Sequence, residues 1–223
     1  MAGSRIPAFF LIVVLSCLIA TPTHAVDIES LLKKMEAAYL EVKDYRMLVD
    51  VEGSTRDGIV RKEKFRYSFK RPNKVRIDYE EPYGGTIAVY PDKRGKVLVK
   101  PWGMFALHLS PESSLLKNPS AQRIDQTDLG SLIRNISRSA KEARRGPLRL
   151  EEGDDWVRIK VLAEDHFRAG VLTDYEFLVD KKTWLPTEIK ESSAAGIPER
   201  IIRFRDLAVN EGFAESLFEL EGE

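Results

Sequence analysis

The chain has 223 residues, with 35 Lys plus Arg against 35 Asp plus Glu, 43% apolar residues and one cysteine. The balanced charge argues against a nucleic-acid-binding protein, which usually carries a basic face, and the apolar content argues against extended disorder. The length suffices for one large domain or two small ones. Composition therefore predicts an ordinary globular protein and excludes a partner that is attracted by bulk charge.

The first 25 residues have the pattern of an export signal. Arg5 supplies a basic start, residues 8–20 form an uncharged apolar run, and the small residues Thr23 and Ala25 precede the expected cleavage site. The run is shorter than the roughly 17 to 25 residues that a membrane-spanning helix needs. We therefore predict a signal peptide over residues 1–25, cleaved after Ala25, and export of the mature chain to the periplasm.

The only cysteine, Cys17, lies inside this signal. Residues 14–17 loosely resemble the site at which bacterial lipoproteins are cleaved and acylated. The apolar run continues past Cys17 to Ala20, unlike a lipoprotein start, so acylation at Cys17 is the alternative and not the main prediction. The predicted mature chain has no cysteine, and so no disulfide, no thiolate nucleophile and no cysteine-bound zinc.

The mature chain begins with a predicted amphipathic helix behind Asp27, a suitable N-cap residue. Apolar residues recur there at three-and-four spacing: Ile28, Leu31, Leu32, Met35, Tyr39 and Val42. After Asp44 the apolar period changes to two, which predicts antiparallel strands. The strands are centred on residues 45–51, 65–69, 75–79, 87–89 and 97–99, with turn residues between them.

A second amphipathic helix is predicted in the middle of the chain. Leu129, Leu132, Ile133 and Ile136 share one helical face behind an Asp128 cap. The helix is expected to end in a basic segment that runs into Gly146 and Pro147, which stop a helix. Residues 102–127 before it predict a long loop with a short helical turn after Ser110.

Strands return in the last third, near residues 157–161, 175–179, 187–191 and 202–207. Polar turns at 151–155 and 180–183 link neighbouring strands as hairpins. No internal repeat or linker interrupts the chain, so residues 26–223 are predicted to form one domain of the α+β class.

The predicted sheet of about ten or eleven strands has one apolar face that two helices cannot cover by area. We therefore expect the sheet to curl into an incomplete antiparallel barrel that lid helices close. The pattern alone favours a solidly filled core over an open cavity, because most curled sheets are packed solid.

Three ordered segments resemble the periplasmic outer-membrane lipoprotein carrier family, the LolA-like proteins. The first is residues 70–76, Lys-Arg-Pro-Asn-Lys-Val-Arg, at the end of a strand with three aromatic residues. The second joins residues 178–180 to 185–189, and the third joins residues 204–207 to Asn210 and to Leu217-Phe218. Residues 107–111 and 127–133 are more similar to an uncharacterised branch of that superfamily than to the carrier itself.

The resemblance implies a half-open barrel whose concave apolar face, under lid helices, receives acyl chains. In the carriers, the arginine at the position of Arg71 holds the lid helices by hydrogen bonds; the alternative is that Arg71 merely solvates a hairpin corner. The candidate lid-helix residues are Leu129, Leu132, Ile133 and Ile136. The candidate lining residues are Phe65, Tyr67, Phe69, Val75, Ile77 and Tyr79. The chain ends soon after Phe218, so the additional C-terminal segment of the carriers is not expected.

Other kinds of site have little support in the sequence. His108 and His166 are 58 residues apart and lack metal-ligand spacing. The acidic run 151–155 lacks the alternating pattern of a calcium loop and reads as a hairpin tip. Ser113 and Ser114 lie in no nucleophile elbow, and no phosphate-binding glycine loop occurs. We therefore predict no metal, no cofactor and no enzymatic activity.

The sequence thus predicts a monomeric, non-enzymatic periplasmic carrier. Its expected ligand is an apolar lipid or the acyl group of a lipoprotein, exchanged with membrane-associated donor and acceptor proteins, and nucleic acid is not an expected partner. The alternative is a regulatory or sensor domain of the same fold that recognises a protein partner, which a filled core with an exposed apolar patch would favour.

Overall fold

Eleven antiparallel strands form one sheet in the computed structural model, which describes residues 27–54, 59–116, 122–143 and 148–220. The strands β1 to β11 are Asp44–Ser54, Val60–Lys70, Lys74–Glu81, Ile87–Tyr90, Val97–Lys100, Leu107–Leu109, Arg149–Glu152, Trp156–Glu164, Leu172–Asp180, Pro186–Ser193 and Pro198–Val209. The predictions for the export signal with Cys17, for residues 55–58 of the first turn and for residues 144–147 fall outside the described residues.

The sheet consists of two meanders that meet in its centre. Its strand order is β6-β5-β4-β3-β2-β1-β11-β10-β9-β8-β7, so the first strand pairs with the last along residues 45–53 and 200–209. The edge strands β6 and β7 do not pair with each other. The predicted α+β fold with an incomplete antiparallel barrel is therefore confirmed, including the number of strands.

Two α-helices cover part of the concave side: α1, Ile28–Leu40, and α2, Leu129–Lys141. Both predicted caps are confirmed, because the carboxylates of Asp27 and Asp128 accept hydrogen bonds from the backbone N–H groups of Ser30 and Ser131. Val42, which the pattern includes in the first helix, lies beyond its end at Leu40 and is buried in the sheet core.

The long loop predicted over residues 102–127 contains more structure than its sequence indicates. Three residues, Leu107–Leu109, pair with β5 as the edge strand β6, and Ile124–Gln126 form a 3-10 turn just before α2. The helical turn expected after Ser110 consists of hydrogen-bonded turns at residues 110–116. A three-residue strand is too short to show a period in sequence, so it was not predicted.

The C-terminal segment, residues 210–220, packs on the convex side of the first meander. Lys70 donates a hydrogen bond to the carbonyl of Phe213 at 2.7 Å, and Arg76 donates one to the carbonyl of Leu217 at 2.9 Å. Leu220 completes a small apolar cluster on that side. The concave side therefore stays available for the helices and for a cavity.

In the described ranges, no helix combines the length and the hydrophobicity that crossing a membrane requires.

Candidate functional site

The concave face of β1 and β2 is built from five rows of paired residues. Alternate residues of each strand point to the same side, and the antiparallel register places them opposite each other. The rows are Tyr45 with Phe69, Met47 with Tyr67, Val49 with Phe65, Val51 with Glu63, and Gly53 with Arg61. Along this face the side chains change from aromatic to aliphatic and finally to charged.

The first of these rows lies directly beneath the helices. We call this region, Tyr45, Phe69 and the adjacent Val75, the covered end. All three side chains are at most 2% exposed, and the rings of Tyr45 and Phe69 stack with centroids 5.1 Å apart. The Tyr45 hydroxyl accepts a hydrogen bond of 2.9 Å from the backbone N–H of Leu129, which fixes the start of α2 above the sheet.

Beyond the covered end lies a cavity of about 1370 Å³. Its wall includes apolar side chains from both meanders: Val49, Val51, Ile77, Phe177, Ile202 and Phe204. The filled core that the pattern alone favours is therefore wrong for this part of the molecule. The physical reason is coverage, because two helices of 13 residues each span too little of an eleven-stranded sheet.

The predicted lining residues divide between the cavity and the filled core. Phe65, Tyr67, Ile77 and Tyr79 lie on the cavity wall, whereas Phe69 and Val75 do not. The rings of Phe65 and Tyr79 pack at a centroid distance of 5.6 Å, and the Tyr67 hydroxyl lies 3.0 Å from Thr127 Oγ1 at the edge of the helical cover. Strand alternation alone cannot distinguish these two groups, because all six residues face the same side.

The predicted lid-helix residues divide in the same way. Leu132 lies on the cavity wall, while Leu129, Ile133 and Ile136 are at most 2% exposed and pack in the core. The start of α2 and its buried face therefore seal the covered end, while Leu132 and Asn135 of the same helix reach the cavity.

Arg71 lies at the corner between β2 and β3 and contacts the end of α1. Its guanidinium donates to the carbonyl oxygen of Tyr39 at 2.7 Å and to that of Val42, and it lies 4.6 Å from the centroid of the Tyr39 ring. These carbonyls belong to the last turn of α1 and the residues after it, where a cation is favourable. The planar guanidinium donates through two separate nitrogens while it lies against the ring, a geometry that the single nitrogen of an ammonium cannot reproduce.

Tyr39 joins the two helices, a role that the sequence does not show. Its hydroxyl donates a 2.9 Å hydrogen bond to the Asp128 cap of α2. Its ring packs on Gly130, where a Cβ would lie only 2.3 Å from a ring carbon. The one sequence feature that could have indicated this contact is Gly130 itself, because a glycine inside a predicted helix usually marks a close approach of another group. Arg71, Tyr39 and Asp128 thus form a continuous connection from the sheet corner through α1 to α2.

The opposite end of the cavity, the open end, is charged. It comprises the rows of Val51 with Glu63 and of Gly53 with Arg61, extended across β11 and β10 by Arg200 and Glu191. Arg200 and Glu191 form a two-fold hydrogen-bonded ion pair, at 2.9 and 2.7 Å, with both side chains at most 10% exposed. Loss of solvation raises the pKa of the Glu63 carboxyl above its ordinary value.

His166 lies on the cavity wall near the far end of α2. Its imidazole stacks on the Tyr175 ring at 4.5 Å, and its Nε2 lies 2.7 Å from Ser139 Oγ of α2. Burial lowers the pKa of His166 to about 4, and the charge of Arg138 acts in the same direction. The side chain is therefore neutral at neutral pH and is packed as an aromatic ring.

Exposed apolar side chains surround the mouth of the cavity. Trp102 is 61% exposed, Leu115 79% and Ile197 64%, and all three contribute to the wall. Met104 and Phe105 follow Trp102 and are also exposed. We call Trp102, Leu115 and Ile197 the rim residues, because they are exposed apolar side chains that also border the cavity.

The remaining candidate residues have structural partners. His108 Nδ1 lies 2.6 Å from Asp92 Oδ2, and Asp92 also accepts hydrogen bonds from two backbone N–H groups of its own turn. The acidic run at 151–155 forms the predicted hairpin, with Glu151 paired to Arg158 and Lys160. Across the ranges that the structure describes, no group of three or more His, Cys, Asp and Glu side chains is placed to hold a metal ion.

Neither a known protein family nor a curated protein matches this sequence. Among solved structures, MucB, known from Pseudomonas aeruginosa, superposes with a TM-score of 0.53 at 15% identity over 90% of this chain and 65% of MucB. A DUF1329 family protein from Desulfovibrio piger gives 0.47 at 11% identity, covering 87% of this chain and 98% of that protein. A LolA superfamily protein from Nitrosomonas europaea gives 0.40 at 13% identity, covering 88% and 99%.

At such low identity the likeness to MucB shows the fold alone. The chain has a LolA-like fold, an open, curled antiparallel sheet with helices on its concave side, as the sequence resemblance implies.

Proposed function

We propose that this protein is an exported, non-enzymatic carrier that holds the acyl chain of a lipid or lipoprotein in its cavity. The observation that carries the proposal is the cavity of about 1370 Å³ between the sheet and α2, with an aromatic and aliphatic wall. Sites for drug-sized ligands usually measure roughly 300 to 1,000 Å³. The larger volume and the lipophilic wall favour a long hydrocarbon chain.

Two further features support entry of such a ligand from outside. The exposed rim residues Trp102, Leu115 and Ile197 offer apolar contacts before the chain is fully inside. Arg71 fastens α1 by hydrogen bonds to two carbonyls, which can be broken and reformed without unfolding the sheet. We propose that Arg71 serves as the latch of the lid and that membrane-associated proteins deliver and receive the ligand.

The proposal is tested by displacement of an environment-sensitive apolar dye from the mature protein by saturated lipids of increasing chain length. Each buried methylene contributes about 0.8 kcal/mol, so affinity should rise roughly fourfold per methylene until the cavity is full. Phe65→Glu places a charge on the wall and should weaken binding, whereas Arg66→Glu, on the opposite face of the same strand, should not. Affinity that is independent of chain length, or equal in the two variants, would contradict the proposal.

Export is tested separately by the mass of the protein recovered from its own cell envelope. A mature start at Val26 would support the proposed periplasmic carrier. A start at Cys17 with attached acyl chains would instead indicate a membrane-anchored lipoprotein.

A second candidate function is recognition of a protein partner by the same fold. The observation in its favour is the exposed Met104 and Phe105, which are not part of the cavity wall. Under this alternative, Phe105→Ser would weaken association with the partner and leave dye affinity unchanged. A longer lipid chain would change neither the association with the partner nor the displacement of the dye.

A further inference from the structure

The open end of the cavity contains two arginines on either side of a glycine. Arg61 of β2 and Arg200 of β11 are both direct cross-strand partners of Gly53 of β1. Neighbouring strands are about 4.8 Å apart, so the two arginine backbones are separated by roughly 10 Å. Gly53 has no side chain, and a Cβ there would meet only the Glu199 carbonyl oxygen at 3.6 Å and Arg200 Cγ at 3.8 Å; we call this space between the arginines the notch. All three residues lie on the cavity wall.

The two arginines retain unused hydrogen-bond donors. Arg200 uses Nε and Nη2 for Glu191, and its Nη1 makes no hydrogen bond to any residue in the described ranges. The pair with Glu191 holds the guanidinium in place, since both side chains are at most 10% exposed. The exposed side chain of Arg61 makes neither a hydrogen bond nor an ion pair with the residues that the structure describes. Phosphate is one of the two anions, with carboxylate, whose geometry matches the hydrogen-bond donors of a guanidinium group.

Glu63 lies one row deeper in the cavity, between the notch and the apolar wall. It faces the same side as Arg61, two residues along β2, and its carboxylate has no hydrogen bond or ion pair with any described residue. Arg200 and Arg61 attract it only over longer distances, and partial burial disfavours its charge. An ammonium group placed beside Glu63 would supply the missing partner.

From this arrangement we propose that the ligand is a phospholipid with an amine-bearing, zwitterionic head group. Its phosphate occupies the notch at Gly53 between Arg61 and Arg200, its ammonium pairs with Glu63, and its acyl chain extends past Val51 and Phe65 towards Tyr67. The inference rests on the proposed function, because it assigns the polar end of the same cavity.

The test compares three lipids with one acyl chain of equal length: a monoacylglycerol, a lysophosphatidylglycerol and a lysophosphatidylethanolamine. Each displaces the apolar dye from the mature wild-type protein and from three variants. In the wild type, the ethanolamine lipid should bind at least tenfold more tightly than the monoacylglycerol and several-fold more tightly than the glycerol phospholipid.

The variants separate the two charges of the head group. Arg61→Gln should reduce affinity for both phospholipids about tenfold and leave the monoacylglycerol unchanged. Glu63→Gln should abolish the preference for the ethanolamine lipid over the glycerol phospholipid. Lys62→Gln is the matched control, because Lys62 lies between these residues but points to the other face, where it pairs with exposed Glu52; its affinities should equal those of the wild type.

Three contradicting outcomes can be told apart. Binding that depends on chain length but differs less than twofold among head groups and variants would overturn the head-group site and leave the carrier intact. A preference for the anionic glycerol phospholipid would overturn the assignment of Glu63. If none of the three lipids displaces the dye, the proposed function itself fails, and the head-group site fails with it.

Discussion

The two ends of the concave face share one sequence pattern but have opposite structures. At the covered end, Tyr45 and Phe69 are paired residues beneath the helices and are almost completely buried. At the open end, Gly53 and Arg61 are paired in the same register of the same strands, yet they lie on the wall of a large cavity. Alternation therefore decides which side a residue faces, and the position of the helices decides whether that side is filled.

The largest expected effect comes from removing a phenylalanine ring at the covered end and another on the cavity wall. Phe69→Ala should lower the free energy of unfolding by about 3–5 kcal/mol, because it leaves a closed void beneath the helices. Phe65→Ala should lower it by only about 1 kcal/mol, since Phe65 already borders an open cavity. Urea unfolding of both variants measures the difference. Similar losses would show that the two ends are equally packed in solution.

Dye affinity should change in the opposite order to stability: Phe65→Ala should lose more affinity than Phe69→Ala. Phe65→Ala removes part of the cavity wall and should weaken dye binding, while a folded Phe69→Ala protein should bind almost normally. Titrations below the unfolding temperature of both variants provide this second measurement.

The connection between the covered end and the lid is tested at Arg71. Arg71→Leu removes two charge-assisted hydrogen bonds to the end of α1, each worth about 1.5–3 kcal/mol at most. Dye release should accelerate roughly tenfold for each 1.4 kcal/mol by which the closed state is disfavoured. Arg71→Lys should resemble Arg71→Leu more than the wild type, because the single nitrogen of an ammonium cannot reproduce the planar fork that bonds two carbonyls.

The control for this prediction is Arg66→Leu. Arg66 lies on the convex side of β2, more than half exposed, with only a long contact to Glu80. Its replacement should leave the release rate unchanged. Equal release from Arg71→Leu and the wild type, with both proteins folded, would show that Arg71 only solvates the corner.

A smaller effect should appear at His166, where α2 meets the cavity. The pKa of the folded state is about 4, against about 6.5 in the unfolded chain. Below pH 6.5 the unfolded chain therefore binds a proton that the folded protein does not, and stability falls as the pH decreases towards 4. The expected loss between pH 8 and pH 5 is about 2 kcal/mol.

His166→Asn should remove this contribution, while the nearby charges of Asp165, Arg138 and Arg200 remain in both proteins. Urea unfolding at pH 8 and at pH 5 measures how much of the free energy of unfolding each protein loses on acidification. If both proteins lose the same stability on acidification, His166 is charged or exposed in the folded state.

Local patterns in the sequence were sufficient to predict both helices, most strands and the side of each of those strands that faces the core. The caps at Asp27 and Asp128 and the period-two strands around Phe65 and Ile77 depend on neighbouring residues only, and the structure confirms them. The family resemblance added the corner at Arg71, whose contacts with α1 lie 29 and 32 residues away along the chain. Without the resemblance, nothing near Arg71 in sequence indicates those acceptors.

The site could be predicted only in part. Four of the six proposed lining residues reach the cavity, while Phe69 and Val75 are in the filled core. The charged row of Arg61, Gly53 and Arg200 was not predicted, because its members come from three strands and become neighbours only when β1 pairs with β11. Tyr39 and Gly130 were missed for the same reason, since their contact joins two helices about 90 residues apart.

By itself, the sequence determined both helices, most of the strands and which side of those strands is apolar, because backbone periodicity and capping act between near neighbours. Only the tertiary structure decided where the helices lie on the concave face, and with that which rows are filled and which remain open. Coverage of a sheet depends on long-range contacts such as that between Tyr45 and the start of α2. The same apolar alternation thus produces a packed core at one end and a cavity at the other.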